Sequence, residues 1–303
     1  MTKSITPKTR RTVQWQSKAI AGAVGWLVTS QLVGCGLDSG QGGEGDEAGE
    51  GAGEGVAEAT AELIPHQGGE GGEGGEGGEG GEGGEGNASD GVDYATDDVA
   101  YLTQLGLIRG HLQVGAALYG QGLQALAQTH MKHPRAEIYL ALESAFAKRN
   151  CPGFADELSA MIAAVVEGKD SAMVDTVAEL LADAISVCEA KAAIGDPAVV
   201  AVVIENLIRT AGVEYQIGVI DGAIDNLHEY QDAWGFTQIA AQLSASSAFA
   251  GSSDLVAIAG QLQDKLAGLQ DMWPSLNPTA PPGQQAARLF GAAGEIQLLT
   301  LRL

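Results

Sequence analysis

From about residue 96 onward the apolar positions repeat with a helical period. Leu105, Ile108, Leu112, Gly115 and Tyr119 step by 3, 4, 3 and 4, which sets them along one face of a helix. No segment of comparable length alternates apolar and polar residues with period two. The pattern predicts eight or nine helices, at about 96–120, 122–131, 134–149, 153–167, 170–193, 197–220, 227–247, 253–273 and 283–302. Asp196-Pro197 reads as an N-cap followed by proline at the first helical position. His133-Pro134 looks like the same device, and Asn226-Leu227-His228-Glu229 has capping-box spacing. The expected fold is therefore all-α, a multi-helix bundle over residues 91–303. At an offset of 100, Leu107-Ile108-Arg109 meets Leu207-Ile208-Arg209 and Gly122 meets Gly222. This echo suggests two related helical halves, 91–193 and 196–303.

The first 90 residues follow a different pattern. Lys3, Lys8, Arg10, Arg11 and Lys18 precede an uncharged, largely apolar run from Ala19 to Gly34. A basic start, a short apolar stretch and small residues at its end describe a secretory signal. The run is shorter than the ~20 apolar residues that span a bilayer. Its last residues, Leu32-Val33-Gly34-Cys35, resemble the lipobox of bacterial lipoproteins. That resemblance implies cleavage of residues 1–34 and diacylglycerol on the Cys35 thiol. Gly36 rather than aspartate after the cysteine implies an outer-membrane anchor facing the periplasm, with the inner membrane as the alternative. One acyl chain binds a membrane only marginally, whereas two or three make a stable anchor.

Residues 36–90 hold 22 of the 44 glycines, 15 acids and no lysine or arginine, with six consecutive Gly-Gly-Glu units from Gly68 to Glu85. Such a segment has almost nothing apolar to offset the entropy of ordering glycine. The expectation for 35–90 is a lipidated cysteine followed by a disordered tether, reaching roughly 40 Å as a flexible coil.

Charge narrows the function classes. The chain carries −23, and 91–303 alone carries 24 acids against 11 basic residues. An acidic folded part argues against nucleic-acid binding, which needs a basic footprint. The expected partners are the membrane, through the anchor, and a membrane transporter or another envelope protein. After Cys35, Cys151 and Cys188 remain. In an oxidising compartment they could form a disulfide across a helical hairpin, or stay as buried thiols.

Three of the five histidines, His111, His130 and His133, fall within 23 residues, and Glu137 follows one turn after His133. Imidazoles with a carboxylate suit a divalent transition metal or iron, and bundles supply such ligands from facing helices. A turn at Gly120–Gly122 would bring His130 back beside His111. His228 would join only if the two halves pack face to face. The bland alternative is a packed His111, an exposed His130 and a capping His133.

The segment 214–236 carries Asp221, Gly222, Ile224, Asn226, Glu229 and Tyr230 in the pattern DG-x-I-x-N-x-x-EY. It resembles part of the periplasmic helical region that precedes some bacterial high-affinity iron permeases. The permeases' acidic Arg-Glu-x-x-Glu motif and membrane helices have no counterpart here, so the resemblance implies a helical periplasmic module linked to iron uptake, not transport. Read by themselves, Asn226 and Glu229 cap a helix, Gly222 supplies a turn, and Tyr230, Trp234 and Phe236 pack the core. HExxH, GxSxG, P-loop and CxxCH signatures are absent from the sequence. The leading expectation is a non-catalytic binding module. The alternatives are a structural envelope lipoprotein and an enzyme of unreadable class.

Overall fold

The computed structural model describes residues 91–303. The expected signal peptide, the lipidation site Cys35 and the tether 35–90 lie outside the described residues. Nine α-helices make up the described part: α1 Asp98–Gly120, α2 Gln124–His133, α3 Leu140–Arg149, α4 Ala155–Val166, α5 Ser171–Glu189, α6 Pro197–Gly218, α7 Leu227–Ser244, α8 Ser253–Ala267 and α9 Ala287–Thr300. The all-α expectation holds. No helix among the described residues is long and apolar enough to cross a membrane.

Local chemistry explains where most helices begin. Asp97, Asp170, Asp196 and Ser252 each accept a hydrogen bond from a backbone N–H in the first turn of α1, α5, α6 and α8, satisfying a donor that has no partner within the helix. Pro197 occupies the first position of α6, where its missing N–H costs nothing. Pro134 behaves differently from the sequence reading. It does not start a new capped helix, because α2 runs directly into a π-helical turn, Pro134–Tyr139, and on into α3. His133 is itself helical, with φ −51° and ψ −52°, and makes no side-chain cap. Proline removes one backbone donor and crowds the preceding turn, and the wider π-turn absorbs both.

A second departure falls at 219–224, read as helix end and loop. Val219–Ile220 (β1) and Ala223–Ile224 (β2) form a two-residue antiparallel ladder. Asp221 and Gly222 both have positive φ, 51° and 81°, as an Asp-Gly type I′ hairpin turn requires. This tight reversal fixes α6 and α7 as an antiparallel pair.

The core is one continuous cluster drawing on α1 to α9. The hairpins α1/α2 and α6/α7 face each other, with α1 packed on both α6 and α7. The α4/α5 hairpin brings Cys151, just ahead of α4, to Cys188, near the end of α5. Their Cα atoms lie 5.1 Å apart and their sulfurs are in bonding contact, a separation that a disulfide spans. The echoed arginines are used differently in the two halves. Arg109 holds Glu189 through two bonds of 2.6 and 2.9 Å, whereas Arg209 pairs with Glu205 one turn away on its own helix.

Candidate metal centre

Two glycine contacts set the geometry of the site. A β-carbon on Gly235 would lie 2.5 Å from the carbonyl oxygen of Gly110 and 2.7 Å from Val114 Cγ2. The backbones of α1 and α7 therefore cross at Gly110 and Gly235, an approach that only glycine permits. His111 is next to Gly110 and Asp232 lies three residues before Gly235, so the crossing presses them together. Gly115 does the same between α1 and α2, where a β-carbon would come 2.6 Å from Met131 Cε. Met131 follows His130, and the contact holds His130 against α1.

The result is a closed ring of four imidazoles drawn from α1, α2 and α7. Ring centroids lie 6.4 Å apart for His111–His130, 5.4 Å for His130–His228, 6.4 Å for His228–His133 and 5.9 Å for His133–His111. Two imidazoles sharing one ion at about 2.0–2.1 Å from each nitrogen would hold their centroids roughly 5–6 Å apart. Two of the four spacings, His130–His228 and His133–His111, fall in that range, and the other two exceed it. His111 and His130 are buried, and His133 and His228 half-buried. The ring therefore has a closed floor and a rim nearer solvent.

Asp232 lies at the floor. Its Oδ1 is 2.8 Å from His130 Nδ1 and 2.8 Å from His111 Nδ1. The three residues each place a ligand-capable atom within 4.8 Å of the other two. The other ring nitrogen of His130, Nε2, is 2.7 Å from Gln231 Oε1. The Gln231 amide is oriented by its Nε2, which donates to the Leu276 carbonyl at 2.7 Å. Burial alone would raise the Asp232 carboxyl. The charges and hydrogen bonds of His111 and His130 outweigh burial and hold it well below the usual carboxylate range. Its other oxygen, Oδ2, is buried with no hydrogen-bond partner among the described residues, a position that a polar occupant would satisfy.

Further carboxylates surround this group in the chain. Glu214 on α6 and Glu229 on α7 are both buried. Gly218 packs on the backbone at Asn226 and Tyr230, so one turn back along α6 Glu214 reaches the level of Asp232. The Asn226 side chain accepts from His228 N at 3.0 Å, and its Nδ2 lies 3.4 Å from Glu229 Oε1. Glu137 is half-buried on the π-helical turn, four residues after His133.

Of the residues singled out from sequence, the structure gathers His111, His130 and His133 in one ring and sets Glu137 on the element that follows. His228, expected to join only if the two halves pack face to face, does lie against His130 and His133, and with it come Asp232 and Gln231, which sequence reasoning missed as site members. The available signal was the i, i+4 spacing of His228 and Asp232, which sets both on one face of α7.

Residues 190–298 match the family model of the iron permease-associated 4-helix bundle domain. The matched stretch takes in α6, α7 and α8 and nearly all of α9, and it includes 214–236, the segment whose sequence resembles the iron-permease helical region. No curated protein and no solved structure matches the chain. The family it matches is described as iron permease-associated, and the match covers about a third of the chain. It ends short of α1 and α2, so His111, His130 and His133 lie outside it.

Proposed function

We propose that this chain is a lipid-anchored envelope protein whose helical module binds a divalent transition-metal ion, iron among the candidates, in association with a membrane transporter for iron. The observation that carries the reading is the ring of four imidazoles closed over the buried Asp232. Imidazoles gathered with a carboxylate from facing helices make a donor set that suits a first-row divalent ion. The iron permease-associated match over 190–298 supports the link to iron uptake. The lipobox-like Leu32–Cys35 supports an anchor on the periplasmic side of the outer membrane. The Gly/Glu-rich segment would then serve as a tether for the bundle.

Calorimetric titration of the metal-stripped full chain tests the metal reading. Ferrous iron under anaerobic conditions, zinc or copper should bind with a stoichiometry of about one and displace one another, while magnesium should not compete, because imidazole favours the later first-row ions. The absence of saturable heat with every one of these ions would overturn it. A structural role for the histidines is the second reading, favoured by the saturated hydrogen bonding of His130, and it predicts that absence. The anchor is tested separately. Cys35→Ala should abolish acyl labelling and membrane fractionation, and normal labelling of the variant would overturn the lipoprotein assignment.

A further inference from the structure

We propose that a cavity of about 440 Å³ between α1, α4, α5 and α7 binds an organic cation with an apolar body, at a site separate from the histidine cluster. Its volume lies within the roughly 300–1,000 Å³ of small-molecule pockets.

The cavity uses the side of α1 that the cluster leaves. Arg109, Gln113 and Ala116 line it, and their steps of 4 and 3 set them on one side of the helix. His111, two residues after Arg109, falls on the opposite side, against Asp232. The cavity floor is apolar. Met161 of α4, Leu181 and Ile185 of α5 and Ile239 of α7 line it, and all four are buried.

The mouth is acidic. Asp175 and Glu179 line it from α5, are exposed, and stand one turn apart. Among the described residues, no hydrogen bond or ion pair engages either carboxylate. The rest of α5 brings no counter-charge, since Ser171–Glu189 holds Asp175, Glu179, Asp183 and Glu189 but no lysine or arginine. Arg109 is the basic residue that lines the cavity, and its charge is already balanced. Its Nε and Nη2 donate to Glu189 at 2.6 and 2.9 Å, and Nη2 also meets Ser186 Oγ at 2.9 Å and the Ala182 carbonyl at 3.2 Å.

These features select the class of ligand. Like charges one turn apart repel, and a cation seated between them relieves that repulsion. A neutral apolar body would strip water from the two carboxylates and return no bond. An anion would meet two negative charges and an arginine that is already paired. A hydrated inorganic ion would leave the apolar floor unused. The ligand that satisfies both ends has an apolar part on Met161, Leu181, Ile185 and Ile239 and an ammonium or guanidinium group at Asp175 and Glu179.

Berberine, a flat aromatic cation whose fluorescence rises in apolar surroundings, probes the site in the full chain. It should bind saturably at about one per chain, be displaced by decyltrimethylammonium, and not be displaced by anilinonaphthalene sulfonate, an apolar anion. Asp175→Asn with Glu179→Gln should weaken berberine by roughly tenfold or more and remove most of the salt dependence of its binding. Both positions are exposed, so this double variant keeps the fold. Ala178→Trp, which places an indole in the cavity, should abolish binding. Should Ala178→Trp fail to fold, the surface pair decides alone. Undiminished berberine binding in the double variant would put the cation elsewhere on this acidic chain and overturn the proposal. Displacement by the anion, or no saturable binding of either cation, would overturn it as well. None of these outcomes depends on whether the histidines hold a metal.

Discussion

The α1–α5 half and the α6–α9 half of the bundle contribute unlike chemistry to the same site. The first supplies three histidines, His111, His130 and His133. The second supplies Asp232 and Gln231 on the floor, His228 on the rim, and the buried Glu214 and Glu229. Only the second half falls within the iron permease-associated match. A domain family recognised over α6–α9 therefore covers one wall of this centre, and the opposite wall comes from the helices before it. The glycine crossing of Gly110 and Gly235 joins the walls. Neither half carries the whole cluster by itself.

Removing the carboxylate that faces both walls should have the largest effect. Asp232→Ala leaves the buried His130 and His111 without the carboxylate both approach at 2.8 Å, and breaking a buried pair in this way costs about 3–5 kcal/mol. The loss should depend on pH in a defined direction. The Asp232 carboxyl is held below its ordinary range in the folded chain. Its contribution to stability is therefore complete above the unfolded-chain carboxylate range near pH ~4 and is lost as pH falls below it. Urea unfolding of wild type and variant from pH 7 downward should show a gap that is constant to about pH 4 and narrows below. A gap that widens in acid would mean that the carboxylate is not the group that matters.

The two halves also differ in how they are held together internally. Among the described residues, the covalent staple belongs to the first half, where Cys151 and Cys188 meet 37 residues apart in sequence. Closing such a loop stabilises a fold by about 2–4 kcal/mol. Cys151→Ser with Cys188→Ser should lower stability by that amount. Amide exchange should rise mainly in α4 and α5, with the α6/α7 hairpin staying protected. Non-reducing mass spectrometry of the wild type should find the bridged peptide, and free thiols at both positions would remove the premise.

Gly235→Ala separates the halves more gently. The added methyl meets the Gly110 backbone and Val114, so one helix must shift at a cost of about 1–3 kcal/mol for overpacking. The shift falls on His111 and Asp232 directly. Metal affinity should drop more than that of a control such as Gly260→Ala, where a β-carbon meets nothing within 4 Å. Equal affinities would mean that the crossing is a packing contact with no bearing on the site.

The sequence made some parts of this arrangement readable and hid others, for physical reasons. Helical period and caps depend on neighbours within a turn, so α1, α6 and α7 were legible almost to their ends. The histidines of α1 and α2 could be brought together by counting from the turn at Gly120–Gly122, because a short hairpin leaves few alternatives. Asp232 was not legible as their partner. It stands 102 residues from His130, and nothing local distinguishes a carboxylate turned into the core from one turned to water. The π-turn after His133 was hidden because Pro134 carries the same local signal whether a helix starts or widens there. The β1–β2 ladder had its cue in Asp221-Gly222, but the strands are too short for a period-two pattern.

Asn226→Ala should give the smallest effect and the sharpest test of how the second half delivers its histidine. The Asn226 side chain caps α7 by accepting from His228 N, and loss of such a cap costs about 1 kcal/mol. That cost is confined to the α6–α9 side, since the cap bonds no residue of α1 or α2. The most direct route for its influence on the metal is the placement of His228 in the first turn of α7. A double-mutant cycle isolates that influence. Asn226→Ala should weaken ion binding in the wild-type background and have no further effect on affinity once His228→Gln is present, while its effect on stability persists in both. An affinity loss that survives in the His228→Gln background would show that the cap holds the site through the neighbouring Glu229, whose Oε1 lies 3.4 Å from Asn226 Nδ2. The second wall would then act on the ion through a carboxylate as well as through the His228 imidazole.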